Sequence, residues 1–548
     1  MPVKPAMTRM DPKNKKRLLA VGGLALMAPI TLQLASVPAA AAKKPNIVFF
    51  LVDDYGWVDS EVTYDGQIYP NHLRFHTPNM SRMAEMGVRF SHAYASPVST
   101  PTRTSIMTGM NAVHSHITNW TSMAKNEPSD AVGGTNGSMT YDQIAASTGM
   151  DRPEWNYNGI CPERFRADSA ALDLNHLQWA SPMVQFLRDA GYYTIHVGKA
   201  HWASAGTPGA SPLNMGFVVN IAGTSAGLPK SYLSEDNYGN TPEKWNLSAV
   251  QNMYEYYGTG TFLTEAITRE ALKALDWPVK HRQPFYLYLS HFATHTPIQK
   301  DKRFFKRYKD MGQDDGQSKY ASMVEGVDKS LGDVLDYLEA NGLTDNTIII
   351  FMADNGGNAD VKAKGGVPHT QNAPLREGKG SCYEGGIRVP MSVYWPGKTR
   401  AGSIIDAPVM PEDLFPTILE MAGIKRYETV QSIDGRSLVP LLRNRLSGWQ
   451  RDVIFHYPHQ WKPEYRREVD FLSTIIRDEW KLVYVMKERR LELYNLKEDI
   501  GETRDLSSSY PDKVAELAHA LGDRLRAWNA SMPTDRTTGT VVPMPDEI

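Results

Sequence analysis

Cysteine is nearly absent: the chain of 548 residues has two, Cys161 and Cys382. That excludes a disulfide-stapled scaffold and a paired-cysteine zinc site. Neither sign of charge dominates, because a net charge of −2 is spread over interspersed acids and bases. A broad basic face for nucleic acid is thereby excluded, and an anionic substrate has to be held by a local cluster of cations. No internal repeat is found, and there is a single long apolar run, Leu18 to Leu34. Lys13, Lys15, Lys16 and Arg17 precede it, and Val37-Pro38-Ala39-Ala40-Ala41-Ala42 follows. Basic start, apolar centre and small-residue end read as a secretory signal peptide over residues 1–42, cleaved near Ala40 to Ala42. The run is at the short limit for an uncleaved anchor, and no cysteine follows it to carry a lipid. The mature protein is thus expected to begin near Lys43 and to be periplasmic or secreted, with no nucleic-acid partner and no stable membrane partner.

What is present is a repeated format. The almost wholly apolar run Asn46 to Val52 ends abruptly in Asp53-Asp54. Tyr193 to Val197 runs into Gly198-Lys199-Ala200-His201, Phe285 to Leu289 into His291 and His295, and Thr347 to Met352 into Asp354-Asn355. Continuous apolar runs suit strands buried on both faces. Between the last two, Met323, Val324, Val327, Leu331, Val334, Leu335 and Leu338 recur at helical spacing until Asn341-Gly342. Strand, helix, strand implies a parallel sheet, and in such sheets ligands bind beyond the carboxyl ends of the strands. The fold class expected is α/β, with a large, mostly parallel central sheet flanked by helices. A smaller C-terminal α+β subdomain with an antiparallel sheet is expected from short strands at Leu472 to Arg477, Trp480 to Met486 and Leu491 to Leu496. A helix from Pro511 to Trp528 follows them. The expected division is 43–445 for the catalytic domain and 446–548 for the C-terminal subdomain. Segments 122–176 and 203–250, rich in Gly, Ser, Asn and Pro, read as long loops near the site.

The most informative segment is Ser99-Thr100-Pro101-Thr102-Arg103-Thr104-Ser105-Ile106-Met107-Thr108-Gly109. A proline suited to a first helical turn follows the hydroxyl residue, and an arginine lies four positions on, so nucleophile and cation share one helix start. Asp53, Asp54, Asp354 and Asn355 add hard oxygen ligands from two strand ends, which suit Ca²⁺ or Mg²⁺ better than zinc.

The Ser99 segment resembles the signature of the type I sulfatases, (Cys or Ser)-x-Pro-x-Arg followed by Thr-Gly, within the alkaline phosphatase-like superfamily. The resemblance extends to Asp413-Leu414-Phe415-Pro416-Thr417 and Leu493-Tyr494-Asn495-Leu496. It implies that Ser99 is oxidised to formylglycine by a serine-type sulfatase maturase. It further implies that one Ca²⁺ is held by Asp53, Asp54, Asp354, Asn355 and residue 99. Within that family pattern Arg103 holds the nucleophile or its aspartate neighbours, and Lys199 and Lys379 contact the sulfate. His201 then helps deprotonate the geminal hydroxyl, and His295 protonates the leaving alcohol. Ala200 stands where the family usually has tryptophan, and Trp202 follows. The implied activity is hydrolysis of a sulfate ester, with a sulfated saccharide as the expected substrate. A phosphomonoesterase or phosphodiesterase of the same superfamily, using unmodified Ser99, is the alternative. His114, His116, His291, His456 and His459, together with Trp461 and the loop containing Trp202, are candidates for contacting a sugar. Cys382, three residues after Lys379, reads as a small buried residue.

Overall fold

The computed structural model describes residues 44–124, 141–168, 174–241, 246–358, 372–445, 448–461 and 470–548. The expected signal peptide lies outside the described residues. Asn46–Val52 forms β1 and is buried along its whole length, which requires cover on both faces of its sheet. Seven further strands join it: β2 (Val88–Phe90), β3 (Tyr193–Gly198), β4 (Val219–Ile221), β5 (Phe285–Ser290), β6 (Thr347–Ala353), β7 (Met391–Tyr394) and β8 (Ser403–Ile405). Their order across the eight-stranded sheet is β8-β2-β7-β6-β1-β5-β3-β4. The block from β6 to β4 is parallel throughout. Only β7 runs against its neighbours, so the sheet is mostly parallel, as expected.

Register sets the site. Val52 stands opposite Ala353, Leu51 opposite Ser290, and Gly198 opposite Ser290. The polar residues that follow each apolar run therefore emerge side by side at one edge. Helix α1 (Ser99–Thr108) is buried at every position and stops at Gly109, whose φ is +71°. Helix α2 (Leu263–Lys280) packs against α3 (Asp315–Ala340) and against β3 and β5. The Asp314 carboxylate accepts from Gln317 N at 2.8 Å and caps the start of α3. Among the described residues, no helix is long and apolar enough to cross a membrane.

The C-terminal sheet has four antiparallel strands, one more than the sequence pattern suggested: β9 (Val453–Tyr457), β10 (Leu472–Arg477), β11 (Trp480–Val485) and β12 (Arg490–Asn495). Every residue of β9 is buried, so it shows no in-out alternation to reveal a half-exposed strand. Helix α4 (Pro511–Ala527) covers one face through Leu517, Leu521 and Leu525. The other face shares a core with Tyr94, Val98, Tyr383 and Ile387. Lys481 on β11 is fully buried and reaches Glu384 at 2.9 Å and Glu502 at 2.8 Å. The described parts of the segments read as loops contain only short elements, among them Tyr141–Thr148, Ile160–Pro162 and β4.

Candidate active site

Three carboxylates converge where β1 and β6 end: oxygens of Asp53, Asp54 and Asp354 lie within 4.8 Å of one another. Asp54 has a φ of +54°, a left-handed conformation that aspartate tolerates better than most residues. Asn355 donates from Nδ2 to Asp54 Oδ1 at 2.9 Å. The start of α1 brings Ser99 into this group, its Oγ 3.2 Å from Asp53 Oδ1 and 3.1 Å from Asn355 Oδ1. Lys199, just beyond β3, donates to Asp53 Oδ2 at 2.6 Å and to Ser99 Oγ at 3.1 Å. Lys379 donates to Asp54 Oδ1 at 2.5 Å.

Arg103 lies one turn into α1 and is completely buried. Its Nε and Nη2 both reach Asp354 Oδ2 at 2.8 Å. Its Nη1 donates to Lys199 O at 3.1 Å and to Ser290 Oγ at 2.7 Å. One guanidinium thus ties together a strand end, the lysine loop and the nucleophile helix. Ser290 was missed in the sequence; the available signal was a polar residue closing an otherwise apolar strand.

His201 has a φ of +53°, and its Nε2 lies 3.0 Å from Thr121 O. Its ring fits only because residue 227 is glycine, since a Cβ there would come within 2.6 Å of Cε1. His295 places Nε2 3.7 Å from Asp54 Oδ2 and Nδ1 2.9 Å from Thr296 O. Burial, reinforced by neighbouring lysines, holds both imidazoles well below their ordinary range, so both rest neutral. Asp54 opposes that shift at His295.

Burial also dominates the central ion pair. It pushes Asp53 up to about 7, with Asp354 adding repulsion and Lys199 only partly compensating. It lowers Lys199 to about 8. Lys379 moves the other way, because Asp54, Asp53 and Asp354 outweigh the cost of its burial. Three buried carboxylates with hard oxygens fit a Ca²⁺-like cation, which would hold all of them ionised. Asn355 Oδ1 and Ser99 Oγ, 3.1 Å apart, lie beside this cluster.

The other candidate histidines are committed elsewhere. His291 is buried and bonds Ser330 Oγ at 2.8 Å. His114 pairs with Asp434 at 3.0 Å and stacks on Trp528. His116 Nδ1 lies 3.4 Å from Ser531 Oγ, while His456 bonds Ser473 Oγ at 2.7 Å and Ser531 O at 2.9 Å. His459 Nε2 lies 2.8 Å from Thr118 Oγ1. Trp202 corrects an expectation: it is fully buried, donates to Gly209 O at 2.8 Å and packs on His196 and Phe217. It belongs to the core and has no surface to offer a sugar. Cys382 is fully buried, and burial pushes its thiol up to about 12.

Comparison with known proteins agrees with this arrangement. Residues 45–140 and 157–424 match the family described as Sulfatase. Residues 378–531 match the one described as N-sulphoglucosamine sulphohydrolase, C-terminal. A sulfatase of Formosa agariphila is 27% identical over 534 residues, spanning 89% of each chain. Human N-acetylgalactosamine-6-sulfatase is 30% identical over 433 residues, covering 76% of this chain and 69% of that protein. The crystal structure of Ps i-CgsB in complex with k-i-k-neocarrahexaose superposes with a TM-score of 0.64 at 26% identity, over 89% of this chain and 94% of that one. With its signature serine, its carboxylate cluster and its lysines assembled at one sheet edge, this chain belongs to the sulfatase family, the sulfuric ester hydrolases.

Proposed function

We propose that the protein is a formylglycine-dependent, Ca²⁺-binding carbohydrate sulfatase, exported to the periplasm or beyond after loss of residues 1–42. We assign residues 43–445 to catalysis and 446–548 to the C-terminal subdomain. The observation that carries this reading is the surrounding of Ser99 Oγ: Lys199 Nζ at 3.1 Å, Asn355 Oδ1 at 3.1 Å and Asp53 Oδ1 at 3.2 Å. A hydroxyl held between an ammonium and metal-capable oxygens is a nucleophile aimed at an anion. Maturation by a serine-type maturase gives formylglycine, whose hydrate supplies one hydroxyl for attack on sulfur and a second whose deprotonation frees the sulfate.

Asp53, Asp54, Asp354 and Asn355 would hold the cation, whose chemistry there would be Lewis-acid polarisation of the sulfate. Lys199 and Lys379 bind the remaining oxygens, where charge grows as the S–O bond breaks. Arg103 fixes Asp354 and the Lys199 loop in place. His201 rests neutral and accepts the proton of the second, geminal hydroxyl, whose loss frees the sulfate. His295, beside Asp54, gains a proton more readily once the anionic ester lies next to it, and gives that proton to the leaving alcohol. A saccharide is favoured because the relatives reported above include an N-acetylgalactosamine-6-sulfatase and a protein crystallised with a neocarrahexaose. The phosphoesterase alternative is not favoured: the related phosphatases use two zinc ions, and the described residues gather one acidic cluster.

The test is a panel of defined sulfated monosaccharides and matched phosphate esters, assayed after co-expression with a serine-type maturase. Sulfate release from at least one sugar sulfate, with slower turnover of every phosphate ester, is the expected result. Preference for a phosphodiester overturns the reading.

A further inference from the structure

We propose that Lys481 and Tyr494, neighbours on the C-terminal sheet, are positioning residues that hold the loop carrying Lys379, an inference that rests on the sulfate-binding role given to Lys379 above. That loop, residues 376–386, also touches the two segments that bear the nucleophile and the last metal-capable group. Gly380 N donates to Pro97 O at 2.7 Å, just before Ser99. Lys379 N donates to Gly357 O at 3.0 Å, and Gly356 N to Gly386 O at 3.0 Å, just beyond Asn355. A shift of the loop therefore moves Lys379 relative to Ser99 and the carboxylates together.

The C-terminal sheet holds both ends of it. Lys481 on β11 and Tyr494 on β12 stand opposite each other in register. At the start of the loop, Arg376 Nη1 donates to Tyr494 OH at 2.9 Å, and the guanidinium lies 3.8 Å from the centre of the Tyr383 ring. At its end, Lys481 Nζ donates to Glu384 Oε1 at 2.9 Å and pairs with Glu502 Oε1 at 2.8 Å. Glu502 Oε2 accepts from Glu384 N at 2.7 Å, and Glu384 Oε2 from Arg388 Nε at 2.6 Å. Lys481, Glu384, Glu502 and Arg388 are all buried, so two acids and two bases balance inside the protein. Apolar packing is often as stable as a buried ion pair, whereas charge-assisted hydrogen bonds allow one placement of Glu384. No side chain cushions that placement from the loop. A Cβ on Gly385 would overlap the carbonyls of Arg376 and Glu377, and one on Gly386 those of Gly378 and Ser381. Gly385 N donates to Arg376 O at 2.8 Å and joins the two held ends.

Lys481→Met alone would leave two buried acids facing one base, so the test uses Lys481→Met with Glu502→Gln, which removes the tether and leaves Glu384 balanced by Arg388. Tyr494→Phe loosens the other end by one oxygen and keeps the whole ion cluster, so it gives the same readouts in case the paired variant does not fold. In hydrogen exchange, peptides covering 376–386 are expected to exchange about tenfold faster, with those covering β1 and β6 unchanged. In a double-mutant cycle with Lys379→Ala, kcat/KM for the best sugar sulfate of the panel should fall about tenfold while Lys379 is present. It should fall by about twofold or less once Lys379 is gone, since a residue that acts through Lys379 then has nothing to act on. Tyr494→Phe should show a smaller loss with the same dependence. Additive losses would mean general destabilisation and would overturn the proposal, as would unchanged exchange of 376–386. Failure of the underlying reading is visible on its own: matured protein would release no sulfate from any sugar sulfate, while the exchange of 376–386 would still respond to the variants.

Discussion

Replacing Asp354 by asparagine keeps the side-chain volume and one acceptor oxygen but removes a single charge from the centre of the site. Two consequences follow from the geometry. Arg103, fully buried, places Nε and Nη2 both 2.8 Å from Asp354 Oδ2. Without that carboxylate the guanidinium is left with Lys199 O, Ser290 Oγ and the more distant Asp53 as its compensation. Breaking a buried ion pair from one side costs about 3–5 kcal/mol. The second consequence is that the carboxylate cluster loses one of its members, Asp53, Asp54 and Asp354, so a hard divalent cation loses a charged ligand. Urea unfolding in the presence of chelator measures the first effect without interference from bound metal. Metal analysis of dialysed protein measures the second. An Asp354→Asn protein that unfolds within about 1 kcal/mol of the parent, the scale of an ordinary substitution, and still carries its metal would refute both the pairing and the ligand assignment.

Further outcomes are as specific. Ser99→Ala should abolish sulfate release while leaving the unfolding midpoint near that of the parent; measurable turnover would remove Ser99 from the mechanism. His295→Ala should slow alkyl and sugar sulfates more than activated aryl sulfates, whose leaving groups need little protonation, and equal losses would deny it the role of acid. Burial raises Asp328 on α3 from 3.8 to about 6. Because the folded-state value is the higher one, its contribution is favourable below the unfolded value and is lost as pH rises through about 6, to a total of about 3 kcal/mol. Asp328→Asn should therefore gain stability relative to the parent between pH 4 and pH 8 in urea titrations, and a difference independent of pH would contradict this.

The sequence revealed the parts of the molecule that follow a local rule. Runs such as Ile-Val-Phe-Phe-Leu-Val were readable because a strand covered on both faces must be apolar throughout. Apart from Lys379, the active-site residues lay just beyond such a run or within the Ser99 segment, so parallel register was enough to gather those. Short strands such as Val88–Phe90 and Ser403–Ile405 gave no such signal, since three residues cannot establish a period. Long-range partners were also hidden. Ser290 beneath Arg103, Gly227 against His201 and Gly380 against Trp461 are pairings between distant segments, and nothing in either member's neighbourhood specifies the other. The five sugar-contact histidines were chosen for their chemistry. The fold gives all five structural hydrogen bonds or ion pairs. The loop containing Trp202 was a candidate for a related reason, and Trp202 itself fills the core: an aromatic beside a catalytic segment looks the same in sequence whether it lines the pocket or fills the core.

The central claim is that Ser99 does not act as serine, and it is tested by the mass of the peptide containing residue 99 from protein co-expressed with a serine-type maturase, measured alongside sulfate release. The account predicts a peptide lighter by about two hydrogens and a specific activity that rises in proportion to the modified fraction. Full activity in protein whose Ser99 peptide has the unmodified mass would contradict it.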